Sequence, residues 1–574
     1  MKRLLLAFAC GAAVLAVAAP ASAQLGRFLP GRGYAVDGRD GPYLTQVDPG
    51  EISQRIGTGP GLAFAAESGN QGAHRGQRLR MPQTEAAIAA IIAELDAPWP
   101  HDPRLPVQVH ILASGFYAPM ALPDGSVMVP LGLIAQAESD DELAYILGHE
   151  LAHVRLGHFA DDQGFREHRQ TGQRLAEAYG MAATLYSMRP QNGTISIGGE
   201  ADRESARAAA ASDQLNTLVN VFAEPAWARG QEDQADALAF DLAEAAGFNA
   251  LDAADAAFGR MDADFNTRRE MAEALEGQLS ETVAEATSET NLNAVASGDI
   301  RGVAGGLFNS LVRSGGRRAF EFASGYFGQR HRPPDARSEG LSTYADRAYP
   351  DLAAFRDPQE ARLAAIRSSD EYQQAVVAVD ALQAANQRRA EGDLSGALSE
   401  IQRAQATPYG GSAVILNAAA AINADLGDVD QADALYGQAS RQEEQGLDGY
   451  VAHVRLLIRA GRRDRARQVI QEGAARFGGG EQGEKAFLPS LVAVSFADGR
   501  EQEGVAYLRR CTAYAEERLT QDCTLAAMSP NDPQQYDSLS PEARREVDAL
   551  TRRNAAERPG LGLLEGFRLS IPGG

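Results

Sequence analysis

The chain has 574 residues and is 44% hydrophobic, which is enough for roughly two to four domains with cores of their own. Its net charge of −23 argues against a nucleic-acid backbone or an anionic membrane surface as the main partner. Lysine occurs only at Lys2 and Lys485, so no lysine follows a glycine-rich turn and a phosphate-binding P-loop is excluded.

The N-terminus has the pattern of a secretory signal peptide. Lys2 and Arg3 precede an apolar run over residues 4–19, and a small-residue "ASA" site follows. This pattern predicts cleavage before Gln24. The alternative, a lipoprotein signal at Cys10, has a poor recognition sequence in the preceding "AFA". No later segment has the ~20 apolar residues that a transmembrane helix needs, so we expect an exported protein without a transmembrane segment.

Removal of the signal peptide leaves two cysteines, Cys511 and Cys523. In an oxidising compartment they could form a disulfide. Two buried, reduced thiols are an equally good interpretation, because a single pair does not amount to a disulfide framework.

Residues 24–80 are rich in glycine, arginine and polar residues without a sustained period, which predicts an extension with little structure of its own. Order begins at "MPQTEAAIAAIIAELDAP", where apolar residues recur at helical spacing. "VQVHILA" alternates as a strand does. "GSVMVP" follows a turn signal at Asp124 and Gly125 and is predicted to be a second strand.

The segment "SDDELAYILGHELAHVRLG" predicts the next helix. Ser139 and Glu142 have the spacing of a capping box, which fixes the start of the helix, and Gly157 marks its C-terminal end. The predicted buried stripe consists of four apolar residues: Leu143, Ile146, Leu147 and Leu151.

Within this helix, "HELAH" carries candidate metal ligands. His149 and His153 are four residues apart, so both imidazoles point from one helix face to a common point. Zn²⁺ suits two imidazoles and a third ligand, because one position then remains for a water molecule whose pKa the metal lowers. Glu150 lies beside that point and could act as the general base for this water. The alternative is a chance occurrence of the motif.

A third ligand has to come from elsewhere in the chain. In "ARGQEDQADALAF", Glu232 and Asp236 are four residues apart on a predicted helix and would share one face. A solvated acidic face is the alternative interpretation.

The segment "LPDGSVMVPLGLIAQAESDDELAYILGHELAHVRLGH", followed by "RGQEDQADALAF", resembles the HtpX and CAAX-prenyl-protease family of zinc metallopeptidases, peptidase family M48. The hallmark of this family is HExxH with a later ExxAD, and the resemblance covers roughly residues 80 to 350. It implies one Zn²⁺ per chain, held by His149, His153 and Glu232, with Glu150 catalytic and Asp236 hydrogen-bonded to a ligand histidine. It also implies an α+β, mainly helical fold, with a gluzincin-type metallopeptidase domain that contains a small sheet.

The later segment "RHRPPDAR" resembles the His-Pro-containing segment of the same family, although Arg332 follows the histidine where proline is usual. The resemblance makes His331 a candidate catalytic residue near the zinc, where it could bind the tetrahedral intermediate or cap the metal in a resting state. The alternative is a loop histidine packed against Pro333. His158 also matches the family, but it lies beyond the face of the ligand histidines, and we expect a structural role for it.

The C-terminal part of the chain repeats. Four segments begin with a glycine about 35 residues apart, and small and large apolar residues recur at the same later positions. The segments start at Gly392, Gly427, Gly461 and Gly499. This pattern resembles the tetratricopeptide repeat, which forms an α-helical solenoid with a concave surface for peptides or protein partners.

Together these patterns predict a signal peptide (1–23), a poorly structured N-terminal extension (24–80), a zinc metallopeptidase domain (81–350), a tetratricopeptide-repeat domain (351–530) and a C-terminal tail (531–574). This architecture resembles the periplasmic BepA-like branch of the family, whose members act in outer-membrane protein assembly and quality control. The resemblance implies a periplasmic zinc endopeptidase for unfolded or misassembled proteins.

We expect an unfolded polypeptide to add to the strand near Val127–Val129, and the repeat array to recruit the client or the outer-membrane assembly machinery. The alternative is a chaperone or adaptor that uses the repeats with little or gated proteolysis. A serine hydrolase is unsupported because the chain has no GxSxG motif.

Overall fold

The computed structural model of the chain describes residues 41–48, 50, 52, 77–100, 106–122, 124–161, 229–271, 333–352, 357–477, 481–514, 517–528 and 539–556. The predicted signal peptide and His331 lie outside these residues. None of the described helices is both long enough and apolar enough to span a bilayer.

A small mixed sheet lies in the first half of the described chain. Its strands are β1 (Arg78–Leu79), β2 (Gln108–Leu112), β3 (Met120–Ala121) and β4 (Ser126–Pro130), in the order β1-β2-β4-β3. β2 and β4 are parallel, and the other two pairings are antiparallel. The two strands predicted from the sequence are confirmed as β2 and β4. β1 and β3 have two residues each, which is too short to leave an alternating pattern.

The edge of the sheet differs from the sequence-based expectation. We expected a client to add to Val127–Val129, but these residues lie in β4, which pairs with β2 on one side and with β3 on the other. The turn before β4 is the reason: Gly125 has a φ of +84°, its amide donates to the Leu122 carbonyl at 2.9 Å, and the chain reverses so that β3 pairs with β4. β3 is therefore the edge strand on this side of the described sheet.

Six helices of the described residues accompany the sheet. They are α1 (Pro82–Asp96), α2 (Leu131–Gln136), α3 (Asp140–Arg155), α4 (Arg229–Ala245), α5 (residues 250–271) and α6 (Pro334–Ala348). Every residue of α3 is buried, and the helix packs against α4. Its predicted start is confirmed, since the Glu142 amide donates to the Ser139 hydroxyl at 3.0 Å. Gly157 follows the helix with a φ of +64°, as a helix-ending glycine does.

The N-terminal extension is more ordered than the sequence predicted in the part that is described. Tyr43–Thr45 forms one 3₁₀ turn, and Tyr43 is buried in the core of the first half. The Leu44 amide donates to Asp241 of α4 at 2.7 Å, and the Tyr344 hydroxyl donates to the same carboxylate at 2.6 Å. The Tyr43 amide donates to that hydroxyl, which is 301 residues away along the chain. Composition alone gives no sign of such distant contacts.

The second half of the described chain is helical. The helices are α7 (Ala361–Ser368), α8 (Asp370–Ala390), α9 (Leu394–Gln405), α10 (Ala413–Asp425), α11 (Val429–Ala439), α12 (Leu447–Arg459), α13 (Arg463–Phe477), α14 (Glu481–Ala497), α15 (Glu501–Ala513), α16 (Glu517–Met528) and α17 (Pro541–Ala556). From α8 to α15 they pack in consecutive pairs, α8 with α9, α10 with α11, α12 with α13 and α14 with α15.

The four glycines of the repeat pattern lie between the two helices of each pair. Their φ angles are between +70° and +84°, a left-handed conformation that residues with a side chain rarely adopt. The recurring apolar positions are buried in the helix contacts: Ala397, Ile401, Ala432, Tyr436, Ala466, Ile470 and Leu508. The sequence pattern therefore corresponds to helix-turn-helix units.

The first two of these later helices share the core of the first half. Leu363 of α7 and Tyr372 of α8 belong to the same apolar cluster as residues of the sheet, α1 and α3. Glu371 of α8 accepts a hydrogen bond from the Thr84 amide of α1 at 2.7 Å. Asp140 of α3 accepts one from the Leu363 amide at 2.7 Å. Apolar packing and helix capping thus join the two halves of the chain.

A disulfide links Cys511 of α15 to Cys523 of α16. Both residues are fully buried in the apolar core of the last helices. The structure therefore has a disulfide at this cysteine pair and not two reduced thiols.

Replacing both cysteines with alanine (Cys511→Ala, Cys523→Ala) should lower the free energy of unfolding of these helices by about 2–4 kcal/mol, because the bridge restricts the unfolded chain. Thermal unfolding of the oxidised protein and of the double variant gives this comparison, and wild type in reductant serves as control. Alkylation of the unreduced protein should find no free thiol. Two free thiols, or equal unfolding temperatures for the two proteins, would contradict a stabilising bridge.

Candidate metal centre

α3 and α4 bring three metal-binding side chains together. His149 and His153 lie one turn apart on α3, and Glu232 lies in the first turn of α4. Nε2 of His149 is 3.2 Å from Nε2 of His153 and 3.6 Å from Oε2 of Glu232. Nε2 of His153 is 3.7 Å from Oε1 of Glu232. In the part of the chain that the structure describes, this is the one group of three such side chains with donor atoms within 4.8 Å of one another.

The donor set fits a zinc ion. A tetrahedral ion with bonds of about 2.0–2.1 Å to nitrogen and oxygen places its ligand atoms about 3.3 Å apart. The three observed distances, 3.2, 3.6 and 3.7 Å, are close to this value. Two imidazoles and one carboxylate are donors that Zn²⁺ accepts, and they leave a fourth position for water or substrate. The three residues are at most 3% exposed, so the centre is buried.

A buried ion pair orients His149. Nδ1 of His149 is 3.0 Å from Oδ1 of Asp236, which lies one turn after Glu232 in α4. Arg337 of α6 holds Asp236 in turn, with Nε donating to Oδ2 at 3.0 Å and Nη2 donating to Oδ1 at 2.6 Å. The guanidinium also lies over the ring of Phe258, 4.0 Å from its centroid. With Nδ1 turned toward a carboxylate, Nε2 of His149 faces the donor cluster.

Asp236 and Arg337 both remain charged near neutral pH. Burial alone would raise the pKa of Asp236, but the Arg337 guanidinium and the contact with His149 outweigh it and hold this pKa well below its ordinary value. Burial alone would lower the pKa of Arg337, but Asp236 and Glu232 keep it above its ordinary value. Asp236 is therefore a carboxylate at neutral and mildly acidic pH, able to accept the Nδ1 proton of His149.

Another imidazole adjoins Nδ1 of His153 instead of a carboxylate. Its Nδ1 is 2.9 Å from Nδ1 of His158, whose Nε2 is 3.3 Å from Oε1 of Gln234. His158 is 1% exposed and begins the 3₁₀ turn that follows Gly157. His158 does lie outside the donor cluster, as we expected, but it contacts a member of the cluster directly.

Glu150 contacts the edge strand. Its Oε2 accepts a hydrogen bond from the Ala121 amide of β3 at 2.6 Å. The next amide, that of Leu122, donates to the Ser126 carbonyl of β4, so the Ala121 amide points away from β4, as alternate amides do. The carboxylate that the sequence suggested as a general base therefore lies at the outer side of β3, where it is 7% exposed.

The loop that enters β3 is fixed by groups that the sequence did not single out. Asp264 of α5 accepts hydrogen bonds from the amides of Tyr117 at 2.9 Å and Ala118 at 3.2 Å. The Tyr117 hydroxyl donates to Glu142 of α3 at 2.6 Å. Burial and the charge of Glu142 raise the pKa of Tyr117, so its hydroxyl stays protonated and remains a donor. These bonds hold the edge strand against α3.

Sequence reasoning gave Arg337 no role in the site, although it noted the segment "RHRPPDAR" that contains this arginine. The partner of Arg337 is 101 residues away, so no local spacing reveals the pair. The other residue of interest in that segment, His331, lies outside the described residues, and its place relative to the cluster stays a prediction.

Replacing Arg337 with alanine should weaken zinc binding by about 10–100-fold, because Asp236 loses the charge that holds it against His149. The measurement is the zinc dissociation constant, from competition with a chromophoric chelator. Arg337→Lys keeps the positive charge but loses the bidentate contact with Asp236. Its zinc affinity should lie between those of wild type and Arg337→Ala. Arg388→Ala, at a side chain that is 46% exposed, is the control and should bind zinc as wild type does. Equal affinity of Arg337→Ala and wild type would show that the pair does not support the metal.

Residues 79–290 match the family model described as Peptidase family M48. The matched stretch contains α3 and α4 with all three members of the donor cluster, whereas Arg337 lies beyond it. No curated protein matches the chain significantly. The match and the donor cluster together support a metallopeptidase domain of family M48 in this part of the chain.

Proposed function

We propose that this protein is a zinc-dependent endopeptidase that cleaves unfolded or misassembled proteins. The observation that carries the proposal is the convergence of His149, His153 and Glu232, with donor atoms within 4.8 Å of one another. Family M48 contains metallopeptidases, so the match over residues 79–290 supports peptide hydrolysis as the reaction. In the proposed gluzincin-type domain, the glutamate of the later helix is the third zinc ligand.

The chemistry divides between the metal and the side chains around it. His149, His153 and Glu232 would hold the zinc ion, which would supply a Lewis acid for the attacking water and the scissile carbonyl. Glu150 takes the proton of the attacking water and passes it to the nitrogen of the leaving amine. The hydrogen bond from the Ala121 amide fixes the orientation of its carboxylate. Asp236 lies 3.0 Å from Nδ1 of His149 and so turns Nε2 of this ring toward the donor cluster.

The client segment would lie along β3. β3 is an edge strand of the described sheet, so an extended segment can add along it by main-chain hydrogen bonds to outward groups other than the Ala121 amide, which Glu150 occupies. Main-chain pairing requires an extended chain, which favours unfolded clients. Met120 and Ala121 are 2% and 1% exposed, so cleavage requires that this edge be uncovered.

In the proposed protein, the helix pairs of the second half are tetratricopeptide repeats. The regular glycine spacing and the left-handed turns at these glycines support this assignment. Repeats stacked in this way offer an extended surface for peptides or protein partners, and we assign to it the recruitment of clients or of outer-membrane assembly machinery. The signal-peptide pattern supports a periplasmic location.

A chaperone or adaptor with little or gated proteolysis is the second candidate. The burial of the centre favours it, since Glu150 is only 7% exposed and His153 only 1%. In this function the helix pairs bind the client, and the metal centre acts only after the edge strand is uncovered. The two candidates differ in whether the action on a client requires Glu150.

The variant Glu150→Gln should cleave an unfolded protein at least about 100-fold more slowly than wild type, because an amide cannot take the proton of water. Its zinc content should stay at about one ion per chain, since Glu150 is not a ligand in this proposal. Cleavage is followed as fragments of reduced, carboxymethylated α-lactalbumin, and zinc by atomic absorption. Glu232→Ala should lose both cleavage and zinc.

Glu138→Gln is a matched control, because this side chain just before α3 is 75% exposed, and it should cleave as wild type does. Equal cleavage by wild type and Glu150→Gln would sink the enzymatic proposal. A wild-type protein that binds zinc and suppresses client aggregation, but does not cleave, would favour the second candidate.

The proposed export also has a direct test. Protein isolated from a periplasmic extract should begin at Gln24 when its N-terminus is sequenced, because signal peptidase cuts after the small-residue site. A chain that begins at Met1 and stays in the cytosolic fraction would contradict the periplasmic location.

A further inference from the structure

We infer that His158 and Gln234 are positioning residues for the metal centre, and that they fix which ring nitrogen of His153 carries the proton. The inference rests on the proposed function, because it assigns His153 as a metal ligand. It adds two residues that are part of neither the HExxH motif nor the donor cluster.

The three side chains form a line of contacts from α4 back to α3. Nδ1 of His153 is 2.9 Å from Nδ1 of His158, and Nε2 of His158 is 3.3 Å from Oε1 of Gln234. The two rings are inclined by 70°, so the contact runs between nitrogens and is not a stack. His153 and His158 are each 1% exposed, which keeps bulk water from competing for these nitrogens.

One arrangement of protons in neutral rings satisfies both contacts. Oε1 of Gln234 can only accept, so a neutral His158 carries its proton on Nε2. Nδ1 of His158 then has a lone pair, and it accepts from the Nδ1 proton of His153. His153 consequently carries no proton on Nε2, the atom 3.2 Å from Nε2 of His149 and 3.7 Å from Glu232. The lone pair that a metal bond needs faces the cluster.

Local backbone geometry brings His158 to this place. α3 ends at Arg155, and Gly157 has a φ of +64°, a left-handed turn that diverts the chain from the helix path. His158 therefore returns beneath the last turn of α3, beside His153. Gln234 lies two residues after Glu232, so the first turns of α4 provide both a member of the donor cluster and the end of this contact line.

The two ligand histidines are thus held by different chemistry. Nδ1 of His149 meets a carboxylate that is paired with Arg337, whereas Nδ1 of His153 meets another imidazole. In both cases Nε2 is left for the metal. We therefore expect zinc affinity to depend on a hydrogen-bond acceptor at the position of His158 Nδ1. The remainder of the His158 ring should affect zinc affinity less.

Variants of the full chain test this prediction. His158→Phe removes the acceptor and should weaken zinc binding by about 10–100-fold. His158→Asn places an oxygen where Nδ1 was and should bind zinc within about threefold of wild type, by the same reasoning. Gln234→Leu removes the acceptor for Nε2 of His158. Its zinc affinity should lie between those of His158→Phe and His158→Asn. The readouts are the zinc dissociation constant from chelator competition and the visible absorption spectrum of the Co²⁺-substituted protein, which reports ligand geometry.

His453→Phe is the matched control, because His453 is a 2% exposed histidine that bonds Asp433 among the later helices. It should leave the zinc affinity and the Co²⁺ spectrum unchanged. Zinc binding by His158→Phe equal to wild type would overturn the inference. An equal loss of zinc affinity in His158→Asn and His158→Phe would also overturn it, provided that both variants have the circular dichroism spectrum of wild type. Gln234→Leu carries the test if His158→Phe does not fold, and wild-type affinity of Gln234→Leu then overturns the inference.

The inference and the proposed function fail in different ways. A wild-type protein that binds no zinc removes the metal site and the inference together. A wild-type protein that binds zinc tightly, with His158→Phe equal to it, removes the inference and leaves the proposed function intact.

Discussion

The buried ion pair between Asp236 and Arg337 is the interaction on which the arrangement of the site depends. It joins α4 to α6 across 101 residues of chain, and its outer end orients His149. A buried charge without its partner costs about 3–5 kcal/mol, so neither residue is stable in this place alone. Because Asp236 lies one turn after Glu232, the same face of α4 supplies one member of the donor cluster and orients another.

This arrangement connects the chemistry to the sheet. α3 presents His149 and His153 toward α4, while Glu150 accepts a hydrogen bond from Ala121 at the outer side of β3. The proposed base and the strand proposed to hold a client are therefore in direct contact. The same packing buries the centre, so the proposed reaction depends on uncovering β3. The attachment of α7 and α8 to the core of α1, α3 and the sheet gives the repeat region a physical connection to the site.

Much of the architecture could be predicted from the sequence, because its signals are local. Each of these signals involves residues that lie within about one helical turn of one another. They are the capping residue Ser139, the four-residue spacing of the histidines and the glycines of the repeat pattern. Glu232 could be proposed only through the pairing of HExxH with a later ExxAD. The partnership of Arg337 with Asp236 left no such signal, since the two residues meet only in the folded chain.

Other differences have equally specific causes. The contact of His158 with His153 was not foreseen, because it depends on the left-handed turn at Gly157, which brings the chain back beside the helix. The sequence predicts β4 as the edge because β3, with only two residues, leaves no recognisable pattern. The order around Tyr43 depends on hydrogen bonds to Asp241 and Tyr344, which lie in helices far along the chain.

Zinc K-edge X-ray absorption of the purified full-length protein tests the central claim most directly. The account predicts about one zinc ion per chain, with scattering from two imidazoles and from oxygen ligands at about 2.0–2.1 Å. A protein that copurifies with no zinc and takes up none, or a zinc spectrum without imidazole scattering, would contradict it.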